Sequence, residues 1–485
     1  MSRLIKNTAL YTLGNLIPKA AAFFLLPLYT KVLTPADYGI ISAVGLLGSI
    51  CIILFSLAID RSVFRLYWDH KTDETRARYL GSIIFPLWAI SSVMLLLLLF
   101  PLRGVVSLAF TSIPFFPYYA LAIVAAYLQV FGLIPKAVLR VRQQAGAFLW
   151  LSLAEFLITT GCVIWFILIR REGAAGMLQG LMAGPLVLAP LYIIYSFKIM
   201  HPALSLPVLR QSLRFSLPMI PVLLCSWVLS ITDRIFIERY FSMSDVGLYS
   251  LGYRIAGLAL VVCSAFSQAY NPLFYELASS EDQMAAKTKL FKYNNAYVLF
   301  LLFICFMISF FSREVVGLFL DARYREAYKI IPIISLAYFI SQTSGLLNLS
   351  VYQTKSTLPM MWVQIAAALA NVGLNALMVP RFGAYGAAWA TVFSFCVMFA
   401  VAYPMAKRRY FIPFNWPILL TGTGAAVLLV ILFMLWPVTL WYSLLVKTGV
   451  VMAIGGVLCF KYNVFSEIRR MFAGTKTARS SGTCE

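Results

Sequence analysis

The sequence predicts an all-α polytopic membrane protein, with fourteen transmembrane helices in two six-helix lobes plus a C-terminal helix pair. Three observations predict it. Hydrophobic residues are 61% of the chain and charged residues 12%, where a soluble protein has roughly half and a quarter. The apolar residues run continuously, as in "IIFPLWAISSVMLLLLLFPL" and "GTGAAVLLVILFMLWPV". Two polar motifs recur at nearly the same spacing, which points to a duplicated unit.

A helix crossing a bilayer core needs about 20 mostly apolar residues, and its backbone must pair internally because no water is present. A barrel would instead alternate over segments of about 10 residues. Reading the runs between polar breaks places helices near 8–30, 38–60, 79–101, 114–135, 146–169, 174–197, 211–233, 245–270, 293–311, 327–349, 358–379, 384–406, 415–436 and 439–460. The first contains Asn15 and Lys19 and is followed by no A-x-A-like site, so it reads as a retained helix rather than a signal peptide. With both termini inside, the inner segments hold 25 of the 39 Lys and Arg and the outer loops 11. Positive residues favour the cytoplasmic side, which gives an N-in/C-in topology. The net charge of +21 then reflects topology and attraction to anionic inner-leaflet lipids, not nucleic acid. Eight scattered cysteines form no C-x-x-C pair, and His70 and His201 lie in loops, so no metal site is expected.

Residues 33–42 ("LTPADYGIIS") and 241–250 ("FSMSDVGLYS") share Asp37/Asp245, Gly39/Gly247 and Ser42/Ser250 at an offset of 208. "REGAAG" at 171–176 and "RFGAYG" at 381–386 match in four of six positions at an offset of 210. A repeat of six helices, an even number, orients both copies alike about an axis along the membrane normal. The expected divisions are 1–200 and 201–410 for the lobes, 411–461 for the helix pair and 462–485 for a cytoplasmic tail. Both turns fit [ST]-x-x-[DE], through Thr34 and Asp37 and through Ser242 and Asp245, the pattern of a capping box. Pro35 suits the first helical position, and Gly39 and Gly247 let helices 2 and 8 approach a neighbour closely.

The stretches "YTKVLTPADYGIISAV" (29–44), "ITDRIFIERYFSMSDVGLYSLGYRIA" (231–256) and "PRFGAYGAAWATVFS" (380–394) resemble the polysaccharide-export, or oligosaccharide-flippase, family. That family includes the Wzx-type O-antigen flippases. It belongs to the multidrug/oligosaccharidyl-lipid/polysaccharide (MOP) exporter superfamily, with the MATE drug exporters and the lipid II flippase. The resemblance covers most of residues 5 to 410. It implies a V-shaped, MATE-like pair of lobes around a cavity that opens alternately to each side of a bacterial cytoplasmic membrane. It implies an undecaprenyl-diphosphate-linked oligosaccharide as substrate, and polysaccharide polymerase or assembly proteins as partners.

Charged residues near the bilayer centre cost at least about 2.5 kcal/mol each, so each needs a partner, a cavity or a route to the interface. Thr8, Thr12, Asn15 and Lys19 share one face of helix 1, and Pro18 kinks that helix. This face is expected to line the cavity, with Lys19 on the substrate diphosphate. Arg254, on helix 8, carries a planar fork suited to two phosphate oxygens. By resemblance, Lys19 and Arg254 match cationic residues of the lipid II flippase cavity on helices 1 and 8. Helix 2 departs from that pattern, since its first basic residue, Arg61, stands at the inner end. Arg61 and Arg234 complete the set of candidate substrate ligands.

Three acids are candidates for coupling to H+ or Na+. Asp60 ends the stripe Ser42, Gly45, Ser49, Ser56 on helix 2, and Asp233 follows Ser226 and Ser230 on helix 7. Each also has a plainer reading as an interfacial pair with the arginine beside it. Glu155 stands alone within helix 5. No cofactor and no catalytic residue is expected, because P-loop, H-E-x-x-H and G-x-S-x-G motifs are absent from the sequence. A MATE-type exporter of amphipathic cations shares the expected fold, but acids would then dominate its cavity. A membrane polymerase or glycosyltransferase is the third reading.

Overall fold

A computed structural model of the chain describes residues 20–352, 358–410, 412–436 and 439–461, together with Leu10, Tyr11, Gly14, Ile17 and Pro18. Thr12, Asn15 and Lys19 lie outside the described residues, as does the tail from 462. The described elements are all helical, without a strand. Nine helices among the described residues are long and apolar enough to cross a membrane, or ten when the bent pair around residue 330 counts as one span. The chain is a multi-pass membrane protein.

After a short α1 (Leu26–Val32), α2 (Pro35–Ser56) starts on a complete capping box. The Thr34 hydroxyl accepts from the Asp37 N–H at 3.1 Å, and the Asp37 carboxylate accepts from the Thr34 N–H at 3.0 Å. α2 stops four residues short of the expected end. Leu57 and Ala58 adopt positive φ (48° and 52°), so Asp60 and Arg61 fall on a separate short helix, α3 (Ile59–Leu66). There follow α4 (Asp73–Leu99), α5 (Ala120–Val141), α6 (Ala145–Ile164) and α7 (Gly173–Ile199).

The expected helix over 211–233 is replaced by two elements, α8 (Leu206–Ser216) and α9 (Ile220–Tyr240). Residues 206–240 form a 35-residue apolar stretch. At a rise of ~1.5 Å per residue this exceeds a bilayer core of ~30 Å. α8, with Arg210 and Arg214, packs instead on α3 and α4. Helix 8 of the sequence becomes α10 (Met243–Ala256) and α11 (Leu258–Ala278), interrupted at Gly257. Next come α12 (Gln283–Phe310), α13 (Ser312–Phe319), α14 (Ile331–Tyr352), α15 (Leu358–Lys407), α16 (Trp416–Leu435) and α17 (Leu440–Lys461). α15 consists of two arms meeting at Gly383, whose φ of 56° and ψ of −137° favour glycine. Gly173, its match in the repeat, also has a positive φ, of 55°.

The core divides by halves of the sequence. The buried residues of one cluster lie between 51 and 200, among them Phe55, Ile84, Val130 and Ile134, and Val208, Leu209 and Leu213 of α8 pack against it. Another draws only on residues 229–414, among them Tyr297, Leu346 and Phe395. A third joins Leu26 and Tyr38 of the first half to Ile237, Val246, Tyr249 and Ile331 of the second. The halves therefore meet through α1 and α2 against α9 and α10.

Candidate functional site

The two capped turns come together. A Cβ on Gly39 would collide with the Met243 carbonyl, and a Cβ on Gly247 with the Pro35 carbonyl. The starts of α2 and α10 thus cross at backbone contact, with α10 capped by Ser242 and Asp245 as α2 is by Thr34 and Asp37. Small residues permit that approach. Further bonds tie the halves at this end. Glu238 accepts from the Ser112 N–H (2.9 Å), and Tyr324 donates to the Leu33 carbonyl (3.0 Å). Arg323 donates to the carbonyls of Thr30 (3.1 Å) and Lys31 (3.0 Å). Deeper in, the Trp227 indole donates to the Leu46 carbonyl (2.7 Å).

Arg254 follows Gly247 by two turns on α10 and reaches back across this seam, donating to the Tyr38 hydroxyl at 3.3 Å. Its side chain is exposed into a cavity of about 340 Å³, walled by Pro18, Ala22, Phe23, Leu258 and Val261. No carboxylate lies within ion-pair distance of it among the described residues. A guanidinium has five donors, so one long bond to Tyr38 leaves most of the fork for a ligand. Pro18, the sequence neighbour of Lys19, lines the same cavity.

Arg234 does not line it. Asp233 and Arg234 lie inside α9, two turns before its end, because the helix continues to Tyr240. Neither is interfacial: the side chains are 0% and 5% exposed and 4.0 Å apart. Arg234 donates to the Ser230 carbonyl (2.6 Å) and lies 4.3 Å from the centre of the Tyr253 ring. The Asp233 carboxylate accepts from Tyr249 (2.5 Å), Asn375 (2.9 Å), Thr391 (3.0 Å) and, at 3.4 Å, Asn371. Burying a carboxylate is costly unless it is paired and hydrogen-bonded, and this one is both. The amide oxygens of Asn371 and Asn375 are buried with no partner among the described residues.

Glu155 is not alone. Lys136 of α5 pairs with it at 2.5 Å, and Tyr192 of α7 donates to the same oxygen at 3.3 Å. The sequence reading ends the helix near residue 135, which leaves Lys136 in an inner loop. α5 carries Pro135 internally and runs on to Val141. Asp60 and Arg61 form a partly exposed pair at 3.6 Å, and neither lines the Arg254 cavity. Asn371, Asn375 and Thr391 went unremarked in the sequence, although two amides four apart in "ALANVGLNALMV" are a polar stripe inside a span.

The architecture has known counterparts. The lipid II flippase MurJ in an inward closed conformation superposes with a TM-score of 0.74 at 14% identity, over 93% of this chain and 99% of that one. An inward-facing MATE multidrug resistance transporter of the MOP superfamily gives 0.56 at 15% identity, over 86% and 95%. A mutant of the Vibrio cholerae MATE transporter VcmN gives 0.55 at 14% identity, over 84% and 96%. These likenesses establish the fold. In sequence, the chain is 25% identical over 288 residues to Lsg locus putative protein 1 of Haemophilus influenzae, a match covering 56% of this chain and 66% of that relative's length. The family model described as "Polysaccharide biosynthesis protein" matches residues 28–329, more than half of the chain. Carrying that signature, on a fold shared with these MurJ and MATE structures, the chain belongs to the polysaccharide biosynthesis protein family.

Proposed function

We propose that the chain is a flippase that carries an undecaprenyl-diphosphate-linked oligosaccharide from the inner to the outer leaflet of a bacterial cytoplasmic membrane. The single observation that carries this reading is Arg254: a guanidinium exposed in a cavity at the seam between the halves, with no acid beside it among the described residues. Such a group suits a diphosphate and repels the amphipathic cations of a drug exporter. In this reading residues 1–200 and 201–410 are two six-helix lobes, 411–461 the appended pair, and the topology is N-in/C-in. The seam at the capped turns is then the outer gate, and it must open for release. Lys19, Thr12 and Asn15, outside the described residues, are the further proposed ligands of the headgroup. The basic inner loops would hold anionic lipid, and polymerase or assembly proteins would take the product.

Two drives are compatible with this site. Moving a negative headgroup outward gains about 2.3 kcal/mol per charge per 100 mV of inside-negative potential. Alternatively, Asp233 couples transport to a monovalent cation. With both amides turned, its carboxylate, the Thr391 hydroxyl and the Asn371 and Asn375 amide oxygens, which have no partner among the described residues, would form an all-oxygen donor set, which suits a hard cation. The amides now aim N–H at the carboxylate and would turn to present oxygen, a two-fold flip that Asn permits.

The test is ligand sign. With the protein in nanodiscs, undecaprenyl diphosphate is expected to bind saturably and Arg254→Ala to weaken it about tenfold, the loss of one charge-assisted hydrogen-bond pair. Saturable binding of ethidium with no binding of undecaprenyl diphosphate would replace the flippase with a drug exporter.

A further inference from the structure

Beyond the Gly257 break, α11 leaves the Arg254 cavity and borders a second one, of about 210 Å³, enclosed with α12 and α14. Its wall combines two kinds of group. Tyr270, Phe266 and Tyr297 form a stacked run, with ring centres 5.4 and 4.2 Å apart and interplanar angles of 26° and 18°. The lining also includes the amide residues Asn271, Gln342 and Asn348, and the Asn348 Oδ1 is buried without a hydrogen-bond partner among the described residues. No charged residue lines this cavity among the described residues.

We propose that this cavity is a subsite for an uncharged sugar ring of the glycan. A sugar presents two chemistries at once, an apolar C–H face and a rim of hydroxyls that both donate and accept. Aromatic faces meet the first, and amides, which also offer both donors and acceptors, meet the second. The absence of charge in the lining selects against uronic or sialic acids, whose carboxylate would be buried here unpaired. Size limits the occupant to one ring, since a site for a whole drug-sized ligand runs to ~300–1,000 Å³. The position fits as well. Residues 266–271 follow Arg254 by 12 to 17 positions, roughly 20 Å along the helix path, so a sugar held here is separated from a diphosphate at Arg254 by other rings. An acidic glycan can still be carried, provided its charged sugar sits elsewhere.

The identity of the carrier rests on the flippase reading, and the experiment separates the two. The full chain in nanodiscs is titrated with three neutral probes, chitotriose, maltotriose and mannotriose, with trigalacturonic acid, and with inorganic pyrophosphate. At least one neutral probe is expected to bind saturably, and trigalacturonic acid not to. Asn348→Leu and the near-isosteric Gln342→Glu each weaken the neutral probe ~10-fold, the loss of about one hydrogen bond, while pyrophosphate binding stays within twofold. Retained pyrophosphate binding also certifies the fold of each variant. Arg254→Ala does the reverse. Failure of all three neutral probes, equal binding by the variants, or preference for the acidic sugar overturns the subsite. Loss of pyrophosphate binding in the wild type, with neutral-sugar binding intact, would instead overturn the flippase reading and leave the subsite standing.

Discussion

At the scale of single residues, the charges within the helices sort by their partners. Among the described residues, Arg254 makes one long hydrogen bond, to Tyr38, whereas the buried Asp233 accepts from four side-chain donors. Arg254→Lys keeps the charge but loses the fork, so headgroup affinity measured in nanodiscs should fall about fivefold to tenfold. Asp233→Asn removes the charge that the surrounding donors serve. If Asp233 is the coupling site, the variant should lose any shift in melting temperature on adding Na+, and an unchanged shift would place coupling elsewhere. Lys447 and Glu314 are a different case, 2% and 1% exposed at 2.9 Å, with Lys447 also bonded to the Phe310 carbonyl and Glu314 to Ser443. They fasten α17 to α13. Breaking one partner of a buried pair costs ~3–5 kcal/mol, while replacing both by apolar groups is often neutral. Lys447→Met alone should therefore lower the melting temperature sharply, and Lys447→Met with Glu314→Leu should restore most of the loss.

At the scale of elements, the glycines of the repeat set where helices touch. Gly247→Val places a branched side chain where the Pro35 carbonyl now lies, so the α2–α10 crossing must open. Cross-linking between cysteines introduced at Ala36 and Ser244 should fall relative to the same pair with Gly247 intact. Equal cross-linking would show that the crossing is not held by backbone contact. The repeat itself was legible from the sequence, because its polar turns and glycines do a geometric job: the caps, the crossing and the matched positive φ of Gly173 and Gly383 all follow from residue type. Two helix ends beside charged residues were among those not legible. The sequence suggests that α5 stops at Pro135, yet a proline inside a span is tolerated where neighbours satisfy the freed backbone group. It suggests that α9 stops at Asp233, with Asp233 and Arg234 as an interfacial pair, yet the helix runs on to Tyr240. Only the fold reveals Tyr249, Asn375 and Thr391, from α10 and α15, converging on that carboxylate. Local periodicity reports which residues are apolar, but not which distant polar groups will neutralise a charge.

At the scale of the molecule, separate cores for the two halves and a seam at one end fit a machine that rocks about that seam. The sequence alone brought out Arg254 as a candidate; its openness to a cavity and its lack of an acid partner among the described residues needed the fold. If the membrane potential drives transport, imposing −100 mV inside should bias the equilibrium outward by about 2.3 kcal/mol per headgroup charge. A bias that follows a Na+ gradient instead, and that Asp233→Asn abolishes, would identify Asp233 as the coupling site. The most direct test of the whole account is leaflet transfer in proteoliposomes carrying a fluorescent undecaprenyl-diphosphate oligosaccharide. The account predicts that the wild-type chain equilibrates the lipid between leaflets far faster than protein-free vesicles and that Arg254→Ala slows this at least tenfold. Wild-type transfer no faster than in protein-free vesicles would contradict it.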